Sequence, residues 1–169
     1  ESISKIGTYA FKDNQLTSIE LPSGITSIYN EAFQNNKLKQ ISLPETLTYI
    51  GSHAFRANQI SAVKIPDSIS KIYSHTFYDN DLTSVTLPSG LKNINGGAFG
   101  NNQLSSVSIP DSVKNIASDA FNGNPLKEVS ISKYYDYLSW VPNGVDIIRR
   151  ANVVPTDVST SLDSIDETE

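Results

Sequence analysis

The residues of this 169-residue sequence whose types and spacing best suit chemistry form a column of potential metal ligands. Glu31, His53 and His75 follow one another at intervals of 22 residues, each two positions before a phenylalanine. If the chain repeats its structure with this period, the three side chains stack about 4.8 Å apart, which is the distance between hydrogen-bonded strands. Imidazole and carboxylate groups together suit zinc or a similar metal. We therefore consider a metal site at these three residues, beside the alternative that both histidines are exposed turn residues.

Aromatic residues suggest a second kind of site, a surface that binds another protein. Tyr and Trp bury a large area while keeping one polar group, and they are enriched at interfaces. The densest group is Tyr134, Tyr135, Tyr137 and Trp140. A smaller set that we expect to add a side patch is Tyr29, Tyr49, Tyr73 and Tyr78. The alternative for the dense group is a cap, because the last unit of a repeat protein must cover its apolar edge with something bulky.

The sequence contains no recognisable catalytic constellation. The serines lack a nucleophile elbow, and neither histidine has a nucleophile at a position that breaks the repeat. There is no glycine-rich phosphate loop and no pair of carboxylates at an evident cleft. We therefore predict that the chain is not an enzyme and needs no cofactor.

Glu31, His53 and His75 belong to a strict internal repeat of 22 residues. Such a period is typical of a solenoid, in which each coil buries its apolar face by stacking on its neighbours. All six phenylalanines of the protein keep this interval: Phe11, Phe33, Phe55, Phe77, Phe99 and Phe121. An asparagine follows each of them by three positions: Asn14, Asn36, Asn58, Asn80, Asn102 and Asn124.

The pattern within each repeat predicts two short strands. Alternation of apolar and polar residues, with many β-branched side chains, indicates a strand at residues 18–21 and at the equivalent positions of the other repeats. A second strand is expected at residues 26–29 and equivalents. Proline follows the first strand in five repeats and ends it, because proline has no N–H to donate. We expect the asparagine amides to satisfy inward-facing backbone groups in the turns between strands.

The repeat Ile-x-x-Ala-Phe-x-x-Asn-x-Leu-x-x-Ile-x-Leu-Pro-x-x-Ile-x-x-Ile closely resembles the BspA-like, Treponema pallidum-type leucine-rich repeat. The resemblance covers roughly residues 3 to 131. It implies a mainly β fold, a right-handed solenoid of stacked coils with parallel sheets and little helix. It also implies adhesion, since members of this group are associated with attachment to host proteins such as fibronectin and fibrinogen and to other cells.

Three segments follow from the repeat. Residues 1–131 contain six repeats, and residues 132–155 are interpreted as an aromatic insertion and a partial seventh repeat that together act as a C-terminal cap. In this interpretation residues 141–148 align with residues 21–28. Residues 156–169 are rich in Ser, Thr, Asp and Glu, which is typical of a flexible acidic tail or linker.

The charge distribution bears on the class of partner. The net charge is -5, but five of the 18 acidic residues lie in the last fourteen positions, and the rest of the chain is electrically neutral. A neutral body argues against nucleic acid, which is bound by clustered positive charge, and against a polybasic membrane surface. No stretch approaches the roughly 20 apolar residues of a membrane span, and no signal peptide is recognisable. Cysteine is absent, which excludes disulfides and cysteine-ligated metals, and methionine is absent even at position 1, which indicates a piece of a longer chain.

Together these features favour a non-enzymatic protein-binding or adhesion module. We expect a secreted or cell-surface bacterial-type protein that binds a protein ligand, such as an extracellular matrix or cell-surface protein, and an isolated domain that is monomeric. The alternative is a structural or targeting repeat domain of a larger enzyme or toxin whose catalytic part is not included in this sequence. The full-length reading frame would discriminate between them.

Overall fold

The computed structural model describes residues 3–150, and over this range the chain winds into a solenoid of parallel strands. The register advances by one repeat per coil, so that Ile6 pairs with Ile28 and Ile28 with Ile50. Residues 3–150 contain no helix. The described residues therefore include no helix that is long and apolar enough to cross a membrane. The predicted fold class of stacked 22-residue coils is confirmed.

The strands are short because each side of a coil turns after a few residues. They group into four parallel sheets, β1-β2-β3 and β5-β7-β9 on one side of the coils, and β4-β6 and β8-β10-β11 on another. The strands between residues 3 and 150 are β1 (Lys5–Ile6), β2 (Ser27–Ile28), β3 (Tyr49–Ile50), β4 (Ala62–Lys64), β5 (Lys71–Ile72), β6 (Ser84–Thr86), β7 (Asn93–Ile94), β8 (Ser106–Ser108), β9 (Asn115–Ile116), β10 (Glu128–Ser132) and β11 (Asp146–Arg150).

The core is a column of phenylalanine rings that runs through the coils. Neighbouring rings lie nearly parallel with centroids 5.2 to 5.7 Å apart, from Phe11 to Phe121. The rings from Phe33 onward are fully buried, whereas Phe11 in the first coil is 37% exposed. Each ring therefore depends on the coil before it and the coil after it for its burial.

Buried asparagines tie consecutive coils together beside this column. The Nδ2 of Asn80 donates to the carbonyl oxygens of Phe55 and Phe77, at 2.9 and 3.2 Å, and its Oδ1 accepts the N–H of Ile60 at 3.0 Å. The same three-way bonding recurs at Asn36, Asn58, Asn102 and Asn124. One amide thus satisfies backbone groups of two coils that no strand reaches.

The first strand predicted for the first two repeats does not form. Residues 18–21 and 40–43 are irregular, and the first sheet on this side begins only at β4. The backbone ladder between these two coils is weak there, since the N–H of Lys39 lies 3.5 Å from the carbonyl oxygen of Thr17. The first coil has no neighbour on its outer side within the described range, and its Ile19 and Leu21 remain only partly buried, as does Ile41 in the second coil.

The opposite side is interrupted between the third and fourth coils. Strands β3 and β5 are successive in the stack but belong to different sheets. Thr76 stands here where the other five repeats have alanine, and its hydroxyl donates to the carbonyl oxygens of Tyr73 at 2.9 Å and Gly51 at 3.3 Å. We attribute the interruption to this larger buried side chain between the two coils.

The C-terminal segment returns in a register that the sequence did not predict. Strand β11 pairs with β10, with Ile148 opposite Ser130, so the alignment of residues 141–148 with residues 21–28 is wrong. Arg150 fixes this register because its guanidinium donates to the hydroxyls of Ser108 and Ser130, both at 3.0 Å, and to Asp111 at 2.6 Å. Residues 151–155 of the predicted cap and the predicted tail at residues 156–169 lie outside the described residues.

Candidate functional site

The candidate metal ligands lie in one column but do not converge. The rings of His53 and His75 stack face to face, with centroids 4.9 Å apart and planes 9° from parallel. Their in-plane nitrogen lone pairs therefore run side by side and do not point at one common atom. The carboxylate of Glu31 binds Lys12 instead, with Oε2 2.6 Å from Nζ. Between residues 3 and 150 no group of three His, Cys, Asp or Glu side chains could hold a metal ion.

The backbone of this column explains the arrangement. Glu31, His53 and His75 all have φ between 56° and 59°, in the left-handed region that few side chains adopt. The next member of the column is Gly97, where an added Cβ would lie 2.6 Å from the imidazole of His75. Burial lowers the pKa of His53 below its ordinary value of 6.5, and His75 and Arg56 act in the same direction. The column is therefore a packed turn edge in which a neutral His53 is favoured.

The tyrosines of the side patch form a zigzag along the outside of the coils. Tyr49 contacts Tyr29, with ring centroids 5.6 Å apart, and Tyr73, at 5.2 Å and nearly edge to face. The Nζ of Lys71 lies 4.6 Å from the centroid of Tyr73. The fourth tyrosine of the predicted patch, Tyr78, contacts His75 instead, with ring centroids 5.0 Å apart, and all four tyrosines are half-buried. Because the rings are tilted against each other, they offer edges and hydroxyls and not one flat stacking surface.

The aromatic insertion divides into a buried and an exposed part. Trp140 is 1% exposed and continues the phenylalanine column, with its centroid 5.2 Å from that of Phe121. Tyr134 and Tyr137 are 68% and 73% exposed. Tyr135 lies between these extremes and packs against the core. The exposed pair is thus available for a partner, while Trp140 is not.

A hollow of about 230 Å3 lies beside the insertion. Its walls are Tyr135 and Tyr137 on one side and residues 114–116, which include β9, on the other. Burial raises the pKa of Tyr135, and the backbone N–H of Ile116, which interacts with its hydroxyl, partly offsets this rise. We call the two exposed tyrosines, Tyr134 and Tyr137, together with this hollow the C-terminal aromatic site.

The first coil leaves a second, more apolar hollow of about 350 Å3 at the other end of the stack. Ile6, Phe11 and Leu21 contribute to its lining, together with Ile3, which is 64% exposed. These are the same columns that are buried in the inner coils. The described residues leave the core edge uncovered at this end.

Sequence reasoning identified the aromatic residues but missed the hollow and the strand edge beside it. Lys114, Asn115 and Ile116 appear in the sequence as ordinary members of the sixth repeat. The available signal was the break in the pattern at Ser132, but the alignment of residues 141–148 with residues 21–28 supplied a further second strand and so hid the unpaired edge. A repeat that ends on one side before the other necessarily leaves one strand without a neighbour.

Comparison with known sequences gives one family match. Residues 1–138 match the BspA type leucine rich repeat region, in 6 copies. A search of curated proteins found no match.

Solved structures similar to this chain are leucine-rich proteins and a bacterial antigen. A leucine rich cell surface protein of Faecalibacterium prausnitzii A2-165 is 19% identical with a TM-score of 0.42. A leucine-rich repeat protein of Bacteroides ovatus is 22% identical with a TM-score of 0.56, and the pneumococcal vaccine antigen PcpA is 21% identical with a TM-score of 0.44. Each match covers 87% of this chain and 57%, 43% and 52% of the respective relative, so the chain spans about half their length. The likeness to the Bacteroides ovatus protein shows a shared fold.

Proposed function

Because the chain belongs to the family of BspA-type leucine-rich repeats, we propose that it is a non-enzymatic protein-binding and adhesion module of a secreted or cell-surface bacterial-type protein. Its ligand is a host or cell-surface protein. The observation that carries the proposal is the exposure of Tyr134 and Tyr137, at 68% and 73%, at the end of a stack whose core is otherwise closed by Trp140. Contiguous exposed apolar surface, unlike single exposed residues, marks interaction sites, and these two tyrosines lie beside a hollow that Tyr135 helps to line.

The mechanism is rigid display. The coils are locked to each other by ring stacking and by the asparagine bonds, so the tyrosines sit on a support that loses little conformational entropy on binding. Tyrosine contributes strongly to protein interfaces because a large ring and a hydroxyl are ordered at the cost of two torsion angles. Lys133 holds one of these rings in advance, since its Nζ lies 4.8 Å from the centroid of Tyr134.

The test is direct binding to immobilised fibronectin and fibrinogen, measured by surface plasmon resonance. The double variant Tyr134→Ser, Tyr137→Ser is compared with wild type and with Tyr9→Ser, an exposed tyrosine of the first coil that serves as a matched control. We expect saturable binding of wild type and control, and at least tenfold weaker binding of the double variant, equivalent to about 1.4 kcal/mol.

Two outcomes oppose the proposal. Equal affinity of the double variant and the control would show that these tyrosines are not the binding surface. Absence of binding to any matrix or cell-surface protein, together with a catalytic domain adjacent to this segment in the full-length reading frame, would favour a targeting role in a larger enzyme or toxin.

A further inference from the structure

Strand β9 is an outer strand, and its free edge repeats an edge that is already used inside the solenoid. One coil earlier, the carbonyl oxygen of Lys92 accepts the N–H of Lys114 at 2.9 Å. In the same way the carbonyl oxygen of Ile94 accepts the N–H of Ala117 at 2.9 Å. These two bonds, together with a longer one of 3.3 Å from the N–H of Asn115 to the same Lys92 oxygen, bind β9 to β7.

The next pair of acceptors along the stack is the carbonyl oxygens of Lys114 and Ile116. Strand β9 ends the sheet β5-β7-β9, and no hydrogen bond from residues 3–150 reaches either oxygen. On the neighbouring side the stack continues by one more strand, β11. Among the described residues the edge of β9 is thus left without a partner, because the insertion at residues 133–140 interrupts one side of the solenoid only.

The insertion lines this edge without pairing with it. The hollow of about 230 Å3 separates residues 114–116 from Tyr137 and from Tyr135. The N–H of Ile116, the one donor that this edge offers, acts on the hydroxyl of Tyr135 and partly offsets the rise in its pKa that burial causes. Tyr135 thus lies across the hollow from the N–H that a carbonyl oxygen of an added strand would accept.

The positive charge beside this edge favours an acidic side chain on the ligand. Lys92 and Lys114 occupy the same position in successive coils, with Lys114 N–H bonded to Lys92 oxygen, so their side chains emerge as neighbours. Neither lysine forms a salt bridge within the described range. An acidic side chain on an added strand at this position would relieve the repulsion between them.

We propose that an extended peptide segment of the protein ligand docks along β9 as one more parallel strand, donating N–H groups to Lys114 oxygen and Ile116 oxygen and placing an acidic side chain beside Lys92 and Lys114. This inference rests on the proposed binding function and specifies its chemistry. Strand addition of this kind takes affinity from main-chain hydrogen bonds and specificity from side-chain pockets. The hollow between β9 and the two tyrosines supplies such a pocket.

The strand that already binds the equivalent edge provides a probe. The blocked nonapeptide Asp-Ser-Val-Glu-Asn-Ile-Ala-Ser-Asp copies residues 111–119, with glutamate in place of Lys114. Titration into the ¹⁵N-labelled full chain is followed by NMR. We expect saturable shifts of the amides of residues 114–117. N-methylation of the peptide at its glutamate and alanine removes both donors, and we expect affinity to fall about tenfold.

Two protein variants separate strand addition from simple apolar contact. Tyr135→Phe keeps the wall of the hollow but removes the one hydroxyl near the N–H of Ile116 that could compete with a peptide carbonyl oxygen, and we expect at least threefold tighter binding. Lys114→Glu is expected to weaken the glutamate peptide and to favour the version with lysine at that position. Tyr9→Phe, at the opposite end of the solenoid, is the control and should bind as wild type does.

The outcomes distinguish this inference from the proposed function. No shift at residues 114–117, or equal binding of the N-methylated peptide, overturns strand addition. If wild type then still binds fibronectin or fibrinogen through Tyr134 and Tyr137, the binding function stands and only the strand-addition mode is lost. Peptide binding at β9 without binding to any surface protein would support the edge site and oppose the proposed class of ligand.

Discussion

At the scale of single residues, the asparagine column shows that one side chain contributes differently to stability at different positions in the stack. Asn80 makes bonds to two carbonyl oxygens and one N–H, all of them away from solvent. Asn14 occupies the same position in the first coil, is exposed, and bonds only the carbonyl oxygen of Lys12. Both residues occupy the same position of the repeat. Only Asn80 has a preceding coil within the described range, to which its side chain can bond.

Replacing these two asparagines by alanine should therefore have different effects. Asn80→Ala leaves the buried N–H of Ile60 unpaired, at about 1–3 kcal/mol. It also removes one of the two amide donors to the carbonyl oxygens of Phe55 and Phe77, which stay bonded to Asn58 and Asn102 respectively. We therefore expect a loss of about 2–3 kcal/mol in the free energy of unfolding. Asn14→Ala should cost less than about 1 kcal/mol. Urea denaturation monitored by circular dichroism measures both, and equal losses would contradict the bonding described for Asn80.

A pH dependence is also expected at this scale, from His53. Its folded-state pKa is lowered, first by burial and then by His75 and Arg56, with Lys12 acting in the same direction and Glu31 opposing. The unfolded chain thus binds a proton more readily than the folded one. The contribution of His53 is fully present above its ordinary pKa of 6.5 and is lost as the pH falls below that value toward the lowered pKa.

Chemical denaturation at pH 7.5 and pH 5.5 tests this expectation. His53→Gln removes the titrating group but keeps a polar side chain of similar size. Wild type should lose more stability than the variant between the two pH values. The carboxylates titrate in both proteins and cancel in the comparison, so identical losses would mean that His53 does not contribute.

At the scale of elements, we attribute the interruption between β3 and β5 to the methyl and hydroxyl groups by which the side chain of Thr76 is larger than the alanine of the other repeats. In the next pair of coils the N–H of Asn95 donates to the carbonyl oxygen of Ile72 at 3.0 Å, where the repeat has Ala98. The equivalent bond from Tyr73 is missing within residues 3–150, and there the repeat has Thr76. The hydroxyl of Thr76 is bonded to the carbonyl oxygen of Tyr73 at this point of the stack.

Thr76→Ala should accordingly let the ladder close. We expect slower hydrogen exchange of the Tyr73 amide, because it gains a backbone acceptor. The reciprocal variant Ala98→Thr should accelerate exchange of the Asn95 amide. Unchanged exchange of both amides would assign the interruption to some other cause.

At the scale of the whole molecule, residues 3–150 form a solenoid whose core is covered at the C-terminal end and uncovered at the N-terminal end. Trp140 covers Phe121 as the next phenylalanine would, whereas Phe11 is partly exposed above the first coil. Because each coil is stabilised mainly by its neighbours, stability should fall toward the open end. The exposed tyrosines of the C-terminal aromatic site are therefore carried by the better-supported end of the stack.

The expected role of residues 132–155 as a cap gives a prediction at this scale. Trp140→Ala should lower the free energy of unfolding by about 3–5 kcal/mol, since a large buried ring is removed from the end of the column. Tyr137→Ala, at an exposed neighbouring position, should change it by no more than about 0.5 kcal/mol. Denaturation of both variants measures the difference, and a small effect of Trp140→Ala would assign the covering of Phe121 to other residues of the segment.

The sequence by itself determined the solenoid, because a period of 22 residues in every apolar column has only one packing solution, coil upon coil. It also determined the column of phenylalanine rings and the asparagine bonds, because the same residue at the same position of every repeat makes the same contacts with the next coil. It could not determine what happens where repetition fails. The missing strands at residues 18–21 and 40–43, the interruption at Thr76 and the register of β11 depend on which neighbour is absent or displaced.

The candidate site divides in the same way. The aromatic residues could be recognised from their type, but only the tertiary structure buried Trp140, exposed Tyr134 and Tyr137, and left the edge of β9 open. It also turned the column of Glu31, His53 and His75 into stacked rings and an ion pair. The physical reason is that residue types record what a side chain can do, while exposure and direction are set by contacts with coils that are distant in the sequence.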